Sequence, residues 1–125
     1  MPKKNTSKPT ILILDDDPDA REPLASYLAK RNYHILTAAT NQEAIAAAKE
    51  HSPEIILCDV KPEKDGQRLA VLKEIKEIRK DIVCYCITSP HPEIEAMALA
   101  LGAKEILHKP LGPEELEEKL KEAIS

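Results

Sequence analysis

Apolar residues in this chain fall into short unbroken runs and into spaced sets, and the two alternate along its length. "TILIL" (10–14) is a continuous run stopped by "DDDPD". "YHILTA" (33–38), "EIILCD" (54–59), "IVCYCIT" (82–88) and "EILHK" (105–109) repeat the form. Runs this short, closed by turn residues, predict strands buried on both faces. The stretches between them carry apolar residues at helical spacing. Ala20, Leu24, Tyr27 and Leu28 predict a helix from Asp19 to Lys30, with Pro23 near its start, where a missing N–H matters least. Thr40 and Glu43 form a capping-box pattern for a helix from Asn41 to about His51. Leu69, Leu72, Ile75 and Ile78 predict a third helix, from about Gln67 to Lys80. Pro92 opens a fourth through Ile94, Met97, Ala98 and Leu101, with Gly102 just past its end. Pro113 begins the last, with Leu116, Leu120 and Ile124 on one face.

Five strands alternating with five helices predict an α/β fold around a parallel sheet. The polar, basic first eight residues read as a loose tail, and 9–125 as one domain without a repeat or linker. With 42% hydrophobic residues but three Tyr and no Phe or Trp, the core must come from Ile, Leu, Val and Ala. A net charge of -4 with both signs interspersed argues against direct binding of nucleic acid. No apolar run is long enough to span a membrane and no hydrophobic signal region opens the chain, so a cytoplasmic location is expected. Cys58, Cys84 and Cys86 lie within apolar runs and read as buried free thiols rather than a disulfide framework or a metal clip. His34, His51, His91 and His108 sit on different elements without metal spacing and read as surface residues.

In open parallel sheets ligands bind outside the carboxyl ends of the strands, where strand order reverses. Those ends carry Asp15, Asp16 and Asp17, then Asp59, Thr88 and Lys109. If two of the first three aspartates and Asp59 converge to about 5 Å, each pair repels by roughly 3 kcal/mol at an effective dielectric of about 20. Such a cluster needs a cation, and an oxygen-only donor set suits Mg²⁺. With a metal, a lysine and a hydroxyl nearby, Asp59 is placed to act as a nucleophile toward a phosphoryl group.

With "ILILDDDPD", "IILCDV", "ITS" and "LHKP" in order, the chain resembles a response-regulator receiver domain of two-component signalling across residues 9–125. The resemblance implies a flavodoxin-like sheet of order 2-1-3-4-5, with helices on both faces. It implies that Asp59 accepts a phosphoryl group from the phosphohistidine of a histidine kinase or a histidine phosphotransfer protein. It implies that Asp16 binds Mg²⁺ directly, Asp15 mainly through water, and that the backbone carbonyl of Lys61 completes the metal site. Lys109 would pair with Asp59 or its phosphate, and Thr88 would report phosphorylation to a downstream protein or effector outside these residues. Catalysis would be confined to the domain's own phosphorylation and dephosphorylation.

Three positions depart from the family pattern. Pro62 falls three residues after Asp59 where the family has four, shortening the loop that leads to Asp65 and Gly66. Lys61 brings a long cation beside the metal site, where an inward ammonium would compete with the ion. Ile106 stands where the family carries a Tyr or Phe. These changes favour an alternative, a pseudo-receiver that binds partners without phosphorylation; the complete set of Asp15, Asp16, Asp59, Thr88 and Lys109 opposes it. A flavodoxin would need a phosphate loop where this chain has three carboxylates. A haloacid-dehalogenase phosphatase would need a motif that "DDDPDA" lacks.

Overall fold

The computed structural model describes residues 8–63 and 67–124. Its strands are β1 (Thr10–Leu14), β2 (His34–Ala38), β3 (Ile55–Asp59), β4 (Val83–Thr88) and β5 (Glu105–His108). They alternate with α1 (Pro18–Ala29), α2 (Asn41–His51), α3 (Arg68–Ile78), α4 (Pro92–Ala100) and α5 (Pro113–Ile124). All strands pair in parallel in the order β2-β1-β3-β4-β5, the order expected. The expected tail over residues 1–8, apart from Lys8, and the end of the loop at 64–66 lie outside the described residues.

Strand alternation divides the core into two layers. Leu12, Leu14, Ile56, Cys58, Cys84 and Cys86 pack with Ala44, Ala48, Leu72, Ile75 and Ala98 beneath α2, α3 and α4. Ile11, Ile13, Ile55, Leu57 and Tyr85 face the other way, onto Leu28, Leu116 and Leu120 of α1 and α5. Tyr85 is fully buried, and its hydroxyl donates to the carbonyl of Lys119 at 2.9 Å, so the largest side chain in this core keeps its polar atom satisfied. All three cysteines are free and buried, as the sequence predicts.

Local signals account for most helix ends. Thr40 Oγ1 accepts from Glu43 N at 3.1 Å, while the Glu43 carboxylate reaches back to Ala39 N, one residue before the position a standard capping box uses. Gly102 follows the end of α4 with φ +119, a conformation that favours glycine. Helix α1 begins earlier than its apolar spacing implies, because Asp17 caps it by accepting from Asp19 N at 2.9 Å. Pro23 therefore sits at the sixth helical position, beyond the first turn in which a missing N–H is harmless. At the edge formed by the amino ends of the strands, Pro9 and Ile124 line the same two shallow depressions, so the two ends of the described chain meet there.

Candidate functional site

The opposite edge gathers the charges. Asp15 follows β1 directly; its N–H donates to Ala38 O at 3.0 Å, which extends the ladder one residue further. Arg21 of α1 donates to the Asp15 carbonyl at 2.9 Å, and Asp15 Oδ1 accepts from Asp17 N at 3.0 Å. Asp15 and Asp16 thus turn toward the sheet edge, while Asp17 is spent on the helix cap. Asp59 ends β3 in register with Ile87 and is only 6% exposed. An ionised carboxylate buried to that degree requires partners.

Two ammonium groups provide them. Lys109 Nζ lies 2.6 Å from Asp59 Oδ1. Lys61 Nζ lies 2.7 Å from Asp59 Oδ2, 2.9 Å from Asp16 Oδ1 and 3.4 Å from Asp15 Oδ1. The lysine is carried there by the strand period. Val60 is buried against the α2–α4 layer and donates to Ile87 O at 2.9 Å, so residue 61 returns to the Asp59 face. Burial alone would lower the Lys61 ammonium's pKa, but hydrogen bonds to Asp16 and Asp59 outweigh it and hold the group above its usual range. Lys109 is fixed by its own N–H, which donates to Thr88 O at 3.0 Å, and is followed by a cis bond to Pro110.

Thr88 ends β4 and is fully buried, but its hydroxyl donates to Ser89 O at 2.9 Å, turned to its own loop. One participant escaped the sequence reading. Arg68, 7% exposed at the start of α3, donates from Nη1 to the Asp59 carbonyl at 3.2 Å and ties the phospho-acceptor candidate's backbone to the helix layer. Its signal was present, since Arg68 precedes Val71, Leu72 and Ile75 by three, four and seven residues and so lies on the apolar face. On the α1–α5 side, a cavity of about 450 Å³ opens beneath the site, walled by Ile13, Leu57, Leu24 and Leu116 and rimmed by Asp15, Asp59 and Lys109.

The donor chemistry fits a hard divalent ion: three carboxylate oxygens surround one point, without His or Cys. The spacing fits an ammonium, and that point is taken by Lys61 Nζ. Among the described residues, no group of three His, Cys, Asp or Glu side chains is disposed to hold a metal by itself.

The model of the response regulator receiver domain matches residues 11–121. The chain belongs to that family. It is 30% identical over 118 residues to the chemotaxis protein CheY of Bacillus subtilis, spanning 92% of this chain and 97% of that one. It is 34% identical to the transcriptional regulatory protein AruR of Pseudomonas aeruginosa over 93% of this chain, but only 49% of AruR. This receiver chain therefore spans about half of that curated relative. Among solved structures, a CheY-like receiver domain from Methanospirillum hungatei superposes with a TM-score of 0.85 at 28% identity, covering 93% of both chains. CheY4 of Vibrio cholerae superposes with 0.84 at 26% identity, covering 94% of this chain and 99% of that one. Among the described residues no helix is long and apolar enough to cross a membrane.

Proposed function

We propose that this receiver domain is the phospho-acceptor of a two-component phosphorelay, taking a phosphoryl group onto Asp59 from a phosphohistidine on a kinase or phosphotransfer protein. The observation that carries this reading is the 2.6 Å pairing of Asp59 Oδ1 with Lys109 at the end of a central strand. Asp59 Oδ attacks phosphorus in line, the P–N bond to the donor imidazole breaks, and an acyl phosphate forms. Lys109 follows the charge from carboxylate to phosphoryl oxygen. The Thr88 hydroxyl, which now donates to Ser89 O, would supply a donor to the phosphoryl group once that bond is released. Asp15, Asp16, Asp59 and the Lys61 carbonyl would hold Mg²⁺, which neutralises phosphoryl oxygens when bound. The phosphorylated domain would then be read by a downstream protein or effector.

Incubation with Mg²⁺ and a small phosphodonor, followed by intact mass, tests the reading. One added phosphoryl group is expected, absent in Asp59→Asn and mapped to Asp59. Mapping to Asp15, Asp16 or Asp65 would sink the assignment. A second reading, a pseudo-receiver that binds partners without turning over phosphate, is favoured by one observation: Lys61 occupies the second oxygen of Asp59 at 2.7 Å. Unchanged mass in the presence of donor and Mg²⁺ would select it.

A further inference from the structure

The two oxygens of Asp59 are held by different lysines, and only one of those lysines also touches the other carboxylates. Lys61 Nζ meets Asp59 Oδ2, Asp16 Oδ1 and Asp15 Oδ1 together, at 2.7, 2.9 and 3.4 Å. We propose that Lys61 is the resident cation of the acceptor site: its ammonium fills the point on which the three carboxylates converge, and a divalent ion enters only by expelling it. The inference rests on the phospho-acceptor reading of the same site and deepens it.

Charge, distance and tethering carry the argument. Lys109 pairs with Asp59, whereas Lys61 meets all three carboxylates at once and so offsets their mutual repulsion at the point where they converge. The Asp59 and Asp16 oxygens stand at N–H···O distances from Nζ, whereas Mg²⁺ binds oxygen at about 2.0–2.1 Å, so they would draw in by roughly 0.6 to 0.9 Å to hold it. The backbone that delivers the ammonium is restrained on both sides. Buried Val60 bonds to Ile87 O before it, and Pro62 after it confines Lys61 to extended conformations. A cation tethered this closely competes at an effective concentration of about millimolar or more, so millimolar Mg²⁺ has no concentration advantage over it. The side chain is 26% exposed, which leaves the lysine an outward path when it is displaced.

The site is thereby assembled before any metal arrives. The deciding experiment omits the phosphodonor. Thermal unfolding and calorimetric Mg²⁺ titration are compared, at constant ionic strength, for the wild type, Lys61→Met and Lys61→Gln. The Gln variant keeps a hydrogen-bonding side chain of similar reach and serves where Met does not fold. In chelator the variants should melt below the wild type. Adding about 20 mM Mg²⁺ should raise their Tm by about 5 °C or more and leave the wild type within about 1 °C. Their Mg²⁺ Kd should be tighter than wild type by about tenfold or more. Equal affinity and equal Tm response in all three proteins would overturn the role of Lys61 and leave a metal-assisted acceptor standing. No Mg²⁺ response in any of the three would overturn the inference together with the divalent site itself.

Discussion

Burial of Cys58, Cys84 and Cys86 in the α2–α4 layer changes their acidity as well as their access. Burial pushes the Cys84 thiol up to about 11 and Cys86 to about 12, and Cys58 well above its usual 9.0. Above about pH 9 the unfolded chain releases these protons while the folded chain retains them. Stability must therefore fall as pH rises there, by at most about 1.4 kcal/mol per pH unit for each thiol. Urea midpoints should decline between pH 9 and 10, and Cys58→Ala should show a shallower decline. A midpoint unchanged across that range would contradict the burial of the thiols. The Lys61 ammonium, held above its usual range, acts in the same direction at higher pH. At this scale the sequence was readable where position alone decides. Asp15, Asp16, Asp59 and Lys109 are strand-end residues, and strand ends follow from where apolar runs stop. The bond from the Thr88 hydroxyl to Ser89 O depends on one torsion, about which apolar patterning says nothing. Lys61 is intermediate: strand alternation places it on the Asp59 face, but only packing decides that the ammonium folds in.

A helix start is legible where its cap has a recognisable pattern, as Thr40 and Glu43 give for α2, and less so where one carboxylate among several does the capping, as at α1. Helix α1 starts at Pro18, capped by Asp17, one residue ahead of the expected Asp19, and Pro23 lies in its body as the sixth residue. There the proline removes an N–H that would otherwise bond the Asp19 carbonyl. Pro23→Ala should raise stability by about 1–2 kcal/mol, somewhat less than the full helix-interior penalty because the unfolded chain also gains freedom. Chemical denaturation checks it, and a loss of stability would show that the proline ring packs usefully over the cavity it borders. Helix α4 begins at Pro92 as expected, but the side chain that caps it was not foreseen. His91 Nδ1 accepts from Ile94 N at 3.3 Å and caps it, and His108 of β5 pairs with Glu95 at 3.0 Å. Both histidines read as plain surface residues from spacing alone. His34, His51 and His108 are exposed as expected, and only His91 is partly buried.

The alternation of five buried strands with five helices was legible in the apolar pattern, but the strand order came from the family resemblance, because runs buried on both faces do not say which strands are neighbours. The response of the whole molecule to phosphorylation was not legible, and Ile106 bears on it. Ile106 is half-buried against the α2–α4 layer, while Leu107 faces the α1–α5 layer. A β-branched residue has few rotamers to exchange, and a side chain that interacts equally with two states cannot bias them. Beryllium fluoride with Mg²⁺, a mimic of the phosphorylated aspartate, should thus give large amide shifts at 60–63 and 88–93 and small ones at 104–107. Shifts as large at 104–107 would show that the strand-five face carries the signal without an aromatic ring. The meeting of Pro9 with Ile124 bears on a different matter, that of attachment. Pro9 and Ile124 lie together at the amino edge of the sheet, with the length of the strands between them and Asp59. Pro9 and Ile124 are thus remote from the edge where a donor would meet Asp59. A short linker could close the chain into a circle at the amino edge, and new ends could be cut in a surface loop without touching the strand ends that hold the chemistry.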